Sequence, residues 1–422
     1  SAFEDRAGAT GMRTKLGILA LLTNGSNKTG RYNVALFNSA DPRGSKVGGI
    51  ETYFRDYIFY HPEDMDILFI GADEIGDLTI GEITEIEFRG RRVKFLPLYF
   101  LENSVNNYTG TITRSETMTF ARLLMKNWGK IRKILRDGNY SAEVHRSEYA
   151  PIIWTMGVPV IPMLHVWGGK GQQQSSVLGK YWYIRDAADL AAALTGKKFY
   201  AVNPDLTAMF KRRYPMLRKK FDTLTTWANT DTFAPTPLKA GETLDILYAG
   251  RMDRFKRPDI MFSVVAAAQQ RAGNVRFHYV GDGDVEQFPE FAAIRDITTC
   301  HGSKSSAEVA ALMRDVHVGI LTSEFEGMPR FVMEMLSSGR PVVALHLPQL
   351  EPVVLDGVSG YLVPRGPDQI DELAKRVVDV GTLIADGTIK PDVVRKVVEP
   401  FSPQALLGKI WGDHRELHGL QR

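Results

Sequence analysis

Glu326 and Glu334 are two carboxylates eight positions apart in this 422-residue chain, with Gly327–Met–Pro–Arg330 between them. Pro329 suits a first helical turn, where its missing N–H costs nothing, and Gly339–Arg–Pro341 ends the helix before the apolar run Pro341–Ala344. Glu334 stands in the otherwise apolar Phe331–Leu336, where a carboxylate is excluded unless something gains from it. At 1.5 Å of rise per residue the two carboxylates lie about 12 Å apart or less. The helix start between them offers free N–H groups and partial positive charge, which suits phosphate. A carboxylate, an anion site and a second carboxylate fit two hydroxyl-rich groups joined by a diphosphate, the shape of a nucleotide sugar.

Ile246–Pro258 reads as a strand delivering Gly250, with Arg251 and Lys256 on the loop that follows. Two cations there could neutralise a diphosphate, or they could be ordinary solvated loop charges, as Arg254 and Arg257 are read to be. Tyr279–Asp284 ends another strand with Gly281 and Gly283, which permits close approach of a ligand to the backbone or simply makes a turn. Asp282 and Asp284 imitate a metal motif, but no neighbouring carboxylate or His completes a shell, so no metal is expected. Earlier in the chain, Gly48–Gly49 opens a helix after a loop and allows backbone contact with phosphate; a flexible loop end is the plain alternative. His145 follows a strand and precedes a helix, His165 ends the next strand, and His278 and His301 read as structural.

The elements that must carry these residues alternate. Strands are expected at Tyr32–Ser39, Asp66–Ile70, Arg92–Leu98, Val158–His165 and Lys198–Val202, with helices at Ile50–Tyr60, Thr117–Asp137, Tyr149–Thr155 and Asp205–Arg213. A second series has strands at Asp245–Ala249, Val275–Val280, Ile297–His301, Val318–Thr322, Val342–Leu345 and Gly360–Val363. Its helices are Ile260–Arg271, Ser306–Arg314 and Arg330–Ser338, and an amphipathic tail covers Ser402–Leu420. The glycine- and glutamine-rich Trp167–Gln174 reads as a loop, and 214–242 as the approach to a domain junction. The class is therefore α/β, with two parallel-sheet domains at 12–235 and 244–400, a linker at 236–243, and a C-terminal segment at 401–422. A cleft between their strand ends is the expected ligand site. Residues 1–11 read as a cloning remnant or a disordered leader.

Length and composition fit a two- or three-domain globular chain, with 44% hydrophobic and 24% charged residues. The net charge of +3 is too small to imply nucleic acid. The single cysteine, Cys300, excludes an intrachain disulfide and favours a reducing compartment. The early apolar run Leu16–Leu22 is too short to span a bilayer. The segment 117–137 interleaves Arg122, Lys126, Lys130, Arg132, Lys133 and Arg136 with apolar residues. It fits a buried stripe under a solvated positive face or, less commonly, docking on an anionic membrane.

Taken in order, Gly250–Arg251 with Lys256, Val280–Gly283, Glu326–x7–Glu334, Ser337–Ala344 and Glu351–Val363 resemble the retaining GT-B glycosyltransferases of family GT4. Trp227–Pro235 is similar to that family's domain junction, and Phe401–Ser–Pro to the start of its last helix. The resemblance implies two Rossmann-like domains and a C-terminal helix crossing back to the first. It implies that Glu326 contacts the donor sugar, that Glu334 contacts the ribose, and that Arg251 and Lys256 hold the diphosphate. His145 would lie beside the transferred sugar, and Gly49 and the amides near Gly327–Arg330, in the run Gly327, Met328, Pro329, Arg330, would approach the donor. Where the family often has Gly–Phe–Gly after the first carboxylate, this chain has Gly327–Met–Pro. The implied donor is a UDP- or GDP-sugar with no cofactor or metal, and the implied acceptor a glycan or polyprenol-linked sugar in envelope or exopolysaccharide assembly. That places the protein in the cytoplasm, with the inner membrane face as the surface for the basic helix. A GT-B epimerase, a phosphorylase and a non-catalytic nucleotide-sugar binder are the alternatives.

Overall fold

The computed structural model describes residues 30–44, 49–101, 116–165, 182–238 and 243–421. Gly48, the leader 1–11, the run Leu16–Leu22, the loop Trp167–Gln174 and linker residues 239–242 lie outside them. The described residues form two compact units: 30–163 with 182–199 and 410–421, and 164–165 with 200–409.

The first unit runs β1 (Tyr32–Phe37), α1 (Gly49–Tyr60), β2 (Met65–Asp73), β3 (Thr84–Phe88), β4 (Arg91–Phe100), α2 (Glu116–Lys126), α3 (Trp128–Asp137), β5 (Tyr140–Val144), α4 (Ala150–Trp154), β6 (Val160–Leu164) and α5 (Trp182–Thr195). Its strands lie in the order β3-β4-β2-β1-β5-β6. Every pairing described is parallel except the β3–β4 hairpin. That hairpin was not expected from sequence. Arg89 and Gly90 turn it with φ of 49° and 77°, the paired positive values of a tight two-residue loop, and an arginine gives no hint of that geometry. β1 and β2 are buried along nearly their whole length, as strands covered on both faces are.

The expected helix Thr117–Asp137 is in fact two. Asn127 separates them, with φ −98° and ψ 13°, and its side-chain amide donates to Leu123 O at 2.9 Å. The side chain shares Leu123 O with the Asn127 N–H, itself 3.0 Å from that oxygen, and the poor helix former Gly129 follows. Ile131 and Leu135 are buried, while Arg122, Lys126, Lys130, Lys133 and Arg136 are exposed.

The second unit contains β7 (Phe199–Ala201, whose first residue groups with the first unit), α6 (Pro204–Arg213), β8 (Phe221–Thr223), β9 (Leu244–Ala249), α7 (Pro258–Ala272), β10 (Val275–Val280), β11 (Thr298–Cys300), α8 (Ser306–Asp315), β12 (Val318–Leu321), α9 (Arg330–Ser337), β13 (Val342–Leu345), β14 (Gly360–Val363), α10 (Gln369–Ala385) and α11 (Pro391–Lys396). Its main sheet has the order β11-β10-β9-β12-β13-β14, and every pair is parallel. Counting from β9, this is the doubly wound order 3-2-1-4-5-6, which reverses between β9 and β12. α5, α10 and α11 fall where the sequence reading assigns nothing. α10 nevertheless carries helical spacing, burying Leu373, Ala374, Val377 and Val380.

Two arginines, Arg340 and Arg395, hold the C-terminal ends of α8 and α9. Arg340, fully buried, donates to Met313 O, Arg314 O, Ser338 O and Thr236 O at 2.8–3.1 Å. Arg395 donates to Ser337 O and Phe233 O at 3.0 and 2.8 Å. Both satisfy helix-end carbonyls that would otherwise be orphaned.

The last helix, α12 (Pro403–Leu417), begins in the second unit and ends in the first, the return that the sequence led us to expect. No helix among the described residues is long and apolar enough to cross a membrane.

Candidate functional site

The reversal point of the second sheet leaves the carboxyl ends of β9 and β12 side by side, and a doubly wound sheet opens a crevice for ligands there. After β9 the chain makes a short helical turn, Arg254–Lys256, before α7. After β12 it makes the loop leading to α9. The two loops are joined. Thr322 Oγ donates to Lys256 O at 2.8 Å, and Glu324 N–H to Phe255 O at 2.8 Å.

This geometry brings Lys256 and Glu326 into an ion pair between Nζ and Oε1, with side chains 20% and 13% exposed. Ser323 Oγ donates to the same oxygen at 2.8 Å. Oε2 of Glu326 takes no hydrogen bond among the described residues. The site thus offers a fixed carboxylate with one oxygen occupied and one available, beside a lysine. Burial, and next the Glu326 charge, push the Tyr248 phenol well up, keeping it a neutral donor to Arg251 O at 3.0 Å.

Pro329 is not inside the first turn of α9. It caps the helix in an extended conformation, with φ −69° and ψ 117°, and Arg330 is the first helical residue. A ring that fixes φ but not ψ serves either position. Glu334 lies 3.7 Å from Arg330 one turn earlier, on a half-exposed stripe of the helix whose other residues are buried. The carboxylate that looked anomalous in sequence sits on that stripe. Met328 and Pro329 are buried.

Arg251 stands apart. Its side chain is 89% exposed, and its ion pair among the described residues is a 3.8 Å approach to Asp253. Arg257, read from sequence as a solvated charge, is instead a bridge. It reaches Asp259 at 2.7 Å and Glu324 at 3.0 Å, and the hydrogen bond to Asp259, more than the one to Glu324, holds its guanidinium well above the ordinary range.

Gly281 is needed by the fold itself. With φ 156°, a Cβ there would come within 2.4 Å of Gly250 O and of Tyr279 Oη. Gly327 is different, because a Cβ would meet nothing within 4 Å and its φ is not positive. His278 bonds Asp245 Oδ1 at 3.0 Å and lies 3.1 Å from His301, a structural role as expected.

In the first unit, β1 and β5 are the neighbours at which the strand order reverses. Gly49 begins α1 after the first, and His145 follows the second. His145 is buried, with the rings of Tyr53 and Phe54 each 4.3 Å away. Its Nε2 donates to Glu143 Oε1 at 2.8 Å, where Tyr53 Oη also donates at 2.5 Å. His414 from α12 lies 3.4 Å from Glu143 Oε2 and 2.7 Å from Ser141 Oγ. Burial alone would raise the Glu143 pKa, but the hydrogen bonds from His145 and His414 outweigh it and bring it to about 2.

The sequence reading missed Ser323, Asn203, Gln349, Arg365 and Glu143. Ser323, three residues before Glu326, was open to notice as a local partner; the others act from far along the chain.

Residues 243–382 match the family described as glycosyl transferases group 1. A putative colanic acid biosynthesis glycosyltransferase, WcaL of Salmonella typhimurium, is 29% identical over 181 residues, covering 39% of this chain and 43% of WcaL. The match thus spans less than half the length of that relative. Among solved structures, sucrose-phosphate synthase from Thermosynechococcus elongatus superposes with a TM-score of 0.66 at 16% identity, covering 92% of this chain and all of that one (100%). HepE from Anabaena, in complex with UDP and glucose, gives 0.62 at 14% identity, covering 92% and 100%. The fold is GT-B, and residues 243–382 match the glycosyl transferases group 1 family.

Proposed function

We propose that this protein is a retaining glycosyltransferase of family GT4 that moves a sugar from a nucleotide diphosphate sugar to a glycan or lipid-linked acceptor. The observation that carries this reading is the Glu326 carboxylate, held by Lys256 and Ser323 through Oε1 with Oε2 available, at the reversal point of the second sheet. Oε2 accepts from a hydroxyl of the donor sugar, and Glu334 accepts from the ribose. As the bond to the anomeric carbon breaks, Lys256 and the solvated Arg251 offset the charge gathering on the diphosphate. The acceptor hydroxyl attacks the same face, and the departing phosphate oxygen takes its proton. His145 and Gly49 take the donor-side roles that the resemblance assigns them, and the backbone of 327–330 lines the donor. This reading requires no metal.

UDP is the favoured nucleotide because HepE was solved with it. The WcaL relative supports a place in envelope polysaccharide assembly. The exposed basic residues of α2 and α3 support a peripheral contact with anionic membrane on the cytoplasmic side.

Two experiments test the reading. A thermal-shift panel of UDP, GDP and ADP sugars identifies the donor, since a ligand at 100 times its dissociation constant adds about 2.7 kcal/mol of stability. NMR of the first-formed product reports the anomeric configuration. Inversion would exclude the retaining assignment.

A further inference from the structure

The loop that presents Glu326 is held through its carbonyls. Arg365 donates to Ser323 O at 2.6 Å and to Glu324 O at 3.4 Å. Glu326 O accepts from Gln349 Nε2 at 2.7 Å and from Asn203 Nδ2 at 3.3 Å. These two amides are 7% and 2% exposed and reach the carbonyl from segments 23 and 123 positions away in the chain. The orientation of Asn203 is fixed by its other half. Its Oδ1 caps α6, accepting from Asp205 N–H at 2.7 Å, so the nitrogen must face Glu326.

In a trans peptide the carbonyl and the following N–H point in opposite directions. Holding Glu326 O against two buried amides therefore turns the Gly327 N–H the other way. On Gly327 a Cβ would meet nothing within 4 Å, and the N–H has no partner among the described residues. A carbonyl oxygen has two lone pairs and can accept both amides at once. Each buried amide would also be costly to leave without its acceptor.

We propose that Asn203 and Gln349 are positioning residues. They lock the Glu326–Gly327 peptide so that the Glu326 carboxylate and the Gly327 N–H are presented together to the sugar side of the donor. This rests on the reading of the site as a nucleotide-sugar site. Without both amides the peptide is free to turn over, withdrawing the N–H and tilting the carboxylate, and the glycine offers no steric resistance.

The test uses the full chain with Asn203→Asp, Gln349→Glu and the double variant. Each substitution keeps the volume and replaces the donating nitrogen by oxygen, and Asn203→Asp keeps the helix cap. The probes are UDP and UDP-glucose, read by calorimetry and turnover. Each single variant should weaken UDP-glucose binding or lower kcat about threefold to tenfold, and the double variant more, while UDP affinity stays within about twofold. Equal weakening of UDP and UDP-glucose, or a double variant with wild-type behaviour, overturns the proposal. A ligand-free crystal structure of the double variant judges the peptide separately. A turned Glu326–Gly327 peptide is expected, and an unchanged one overturns the proposal even if the wild type binds no nucleotide sugar, a result that would sink the functional reading itself.

Discussion

Each unit sets a carboxylate against a nitrogen base near the reversal point of its sheet, yet the two pairs differ in what else they can reach. Glu143 is fully buried and accepts from Tyr53, His145 and His414, so its two oxygens are shared among three protein donors. Glu326 is 13% exposed, and both of its protein partners use one oxygen. The bonding of Glu143, whose pKa is depressed, despite burial, by its histidine partners, is therefore spent inside the fold. The carboxylate with an oxygen left over is the better candidate for a ligand. The depressed pKa of Glu143 is accounted for by bonds within the fold and by itself marks no ligand site.

The comparison breaks most visibly at Glu143. Glu143→Ala removes the carboxylate that two buried histidines and a tyrosine hydroxyl share and should cost about 3–5 kcal/mol in urea unfolding. The same pair predicts an acid response. Its pKa is depressed from the ordinary 4.5 to about 2, so its stabilisation is present above about pH 4.5 and is lost as pH falls toward 2. Unfolding curves from pH 5 to 2 should show this loss, and Glu143→Gln should flatten it.

At the other pair the expected effects are on chemistry. Lys256→Ala should lower turnover by about 10²–10³ in a nucleotide-release assay. Its stability should change by only about 1 kcal/mol, because the ion pair is partly solvated. A large stability loss without a rate effect would reverse the contrast between the two regions. Arg251→Ala, a solvated side chain, should leave thermal unfolding unchanged and weaken UDP binding roughly tenfold, as loss of one charged contact does. The smallest stability effect belongs to Gly327→Ala, within about 0.5 kcal/mol, since the added methyl meets nothing in the fold. A clear drop in turnover from that change would mark the open side of Gly327 as ligand space.

Much of this was legible in the chain. The second-unit strands are short apolar runs ended by glycine or a charged loop, so β9, β10 and β13 fell where periodicity put them. The α9 stripe of Arg330 and Glu334 follows from a spacing of four. What the sequence could not show is contact between distant segments. Lys256 and Glu326 are 70 positions apart, Asn203 and Glu326 123, and Glu143 and His414 271. Each meeting depends on strand order, and strand order is decided by how whole helices pack on the sheet. The break at Asn127 and the Arg89–Gly90 turn failed for a local reason: neither uses the residue that usually announces it.

If the Lys256–Glu326 pair of the second unit receives a nucleotide sugar, removing Lys256 removes much of the donor's binding. The most direct measurement compares the wild type and Lys256→Ala by thermal unfolding, each alone and with the best donor of the UDP, GDP and ADP sugar panel. The two ligand-free proteins should unfold alike, the wild type should gain about 2.7 kcal/mol at 100 times the dissociation constant, and the variant should lose most of that gain. Equal stabilisation of both proteins, or none of the wild type by any nucleotide sugar, would contradict binding at this pair.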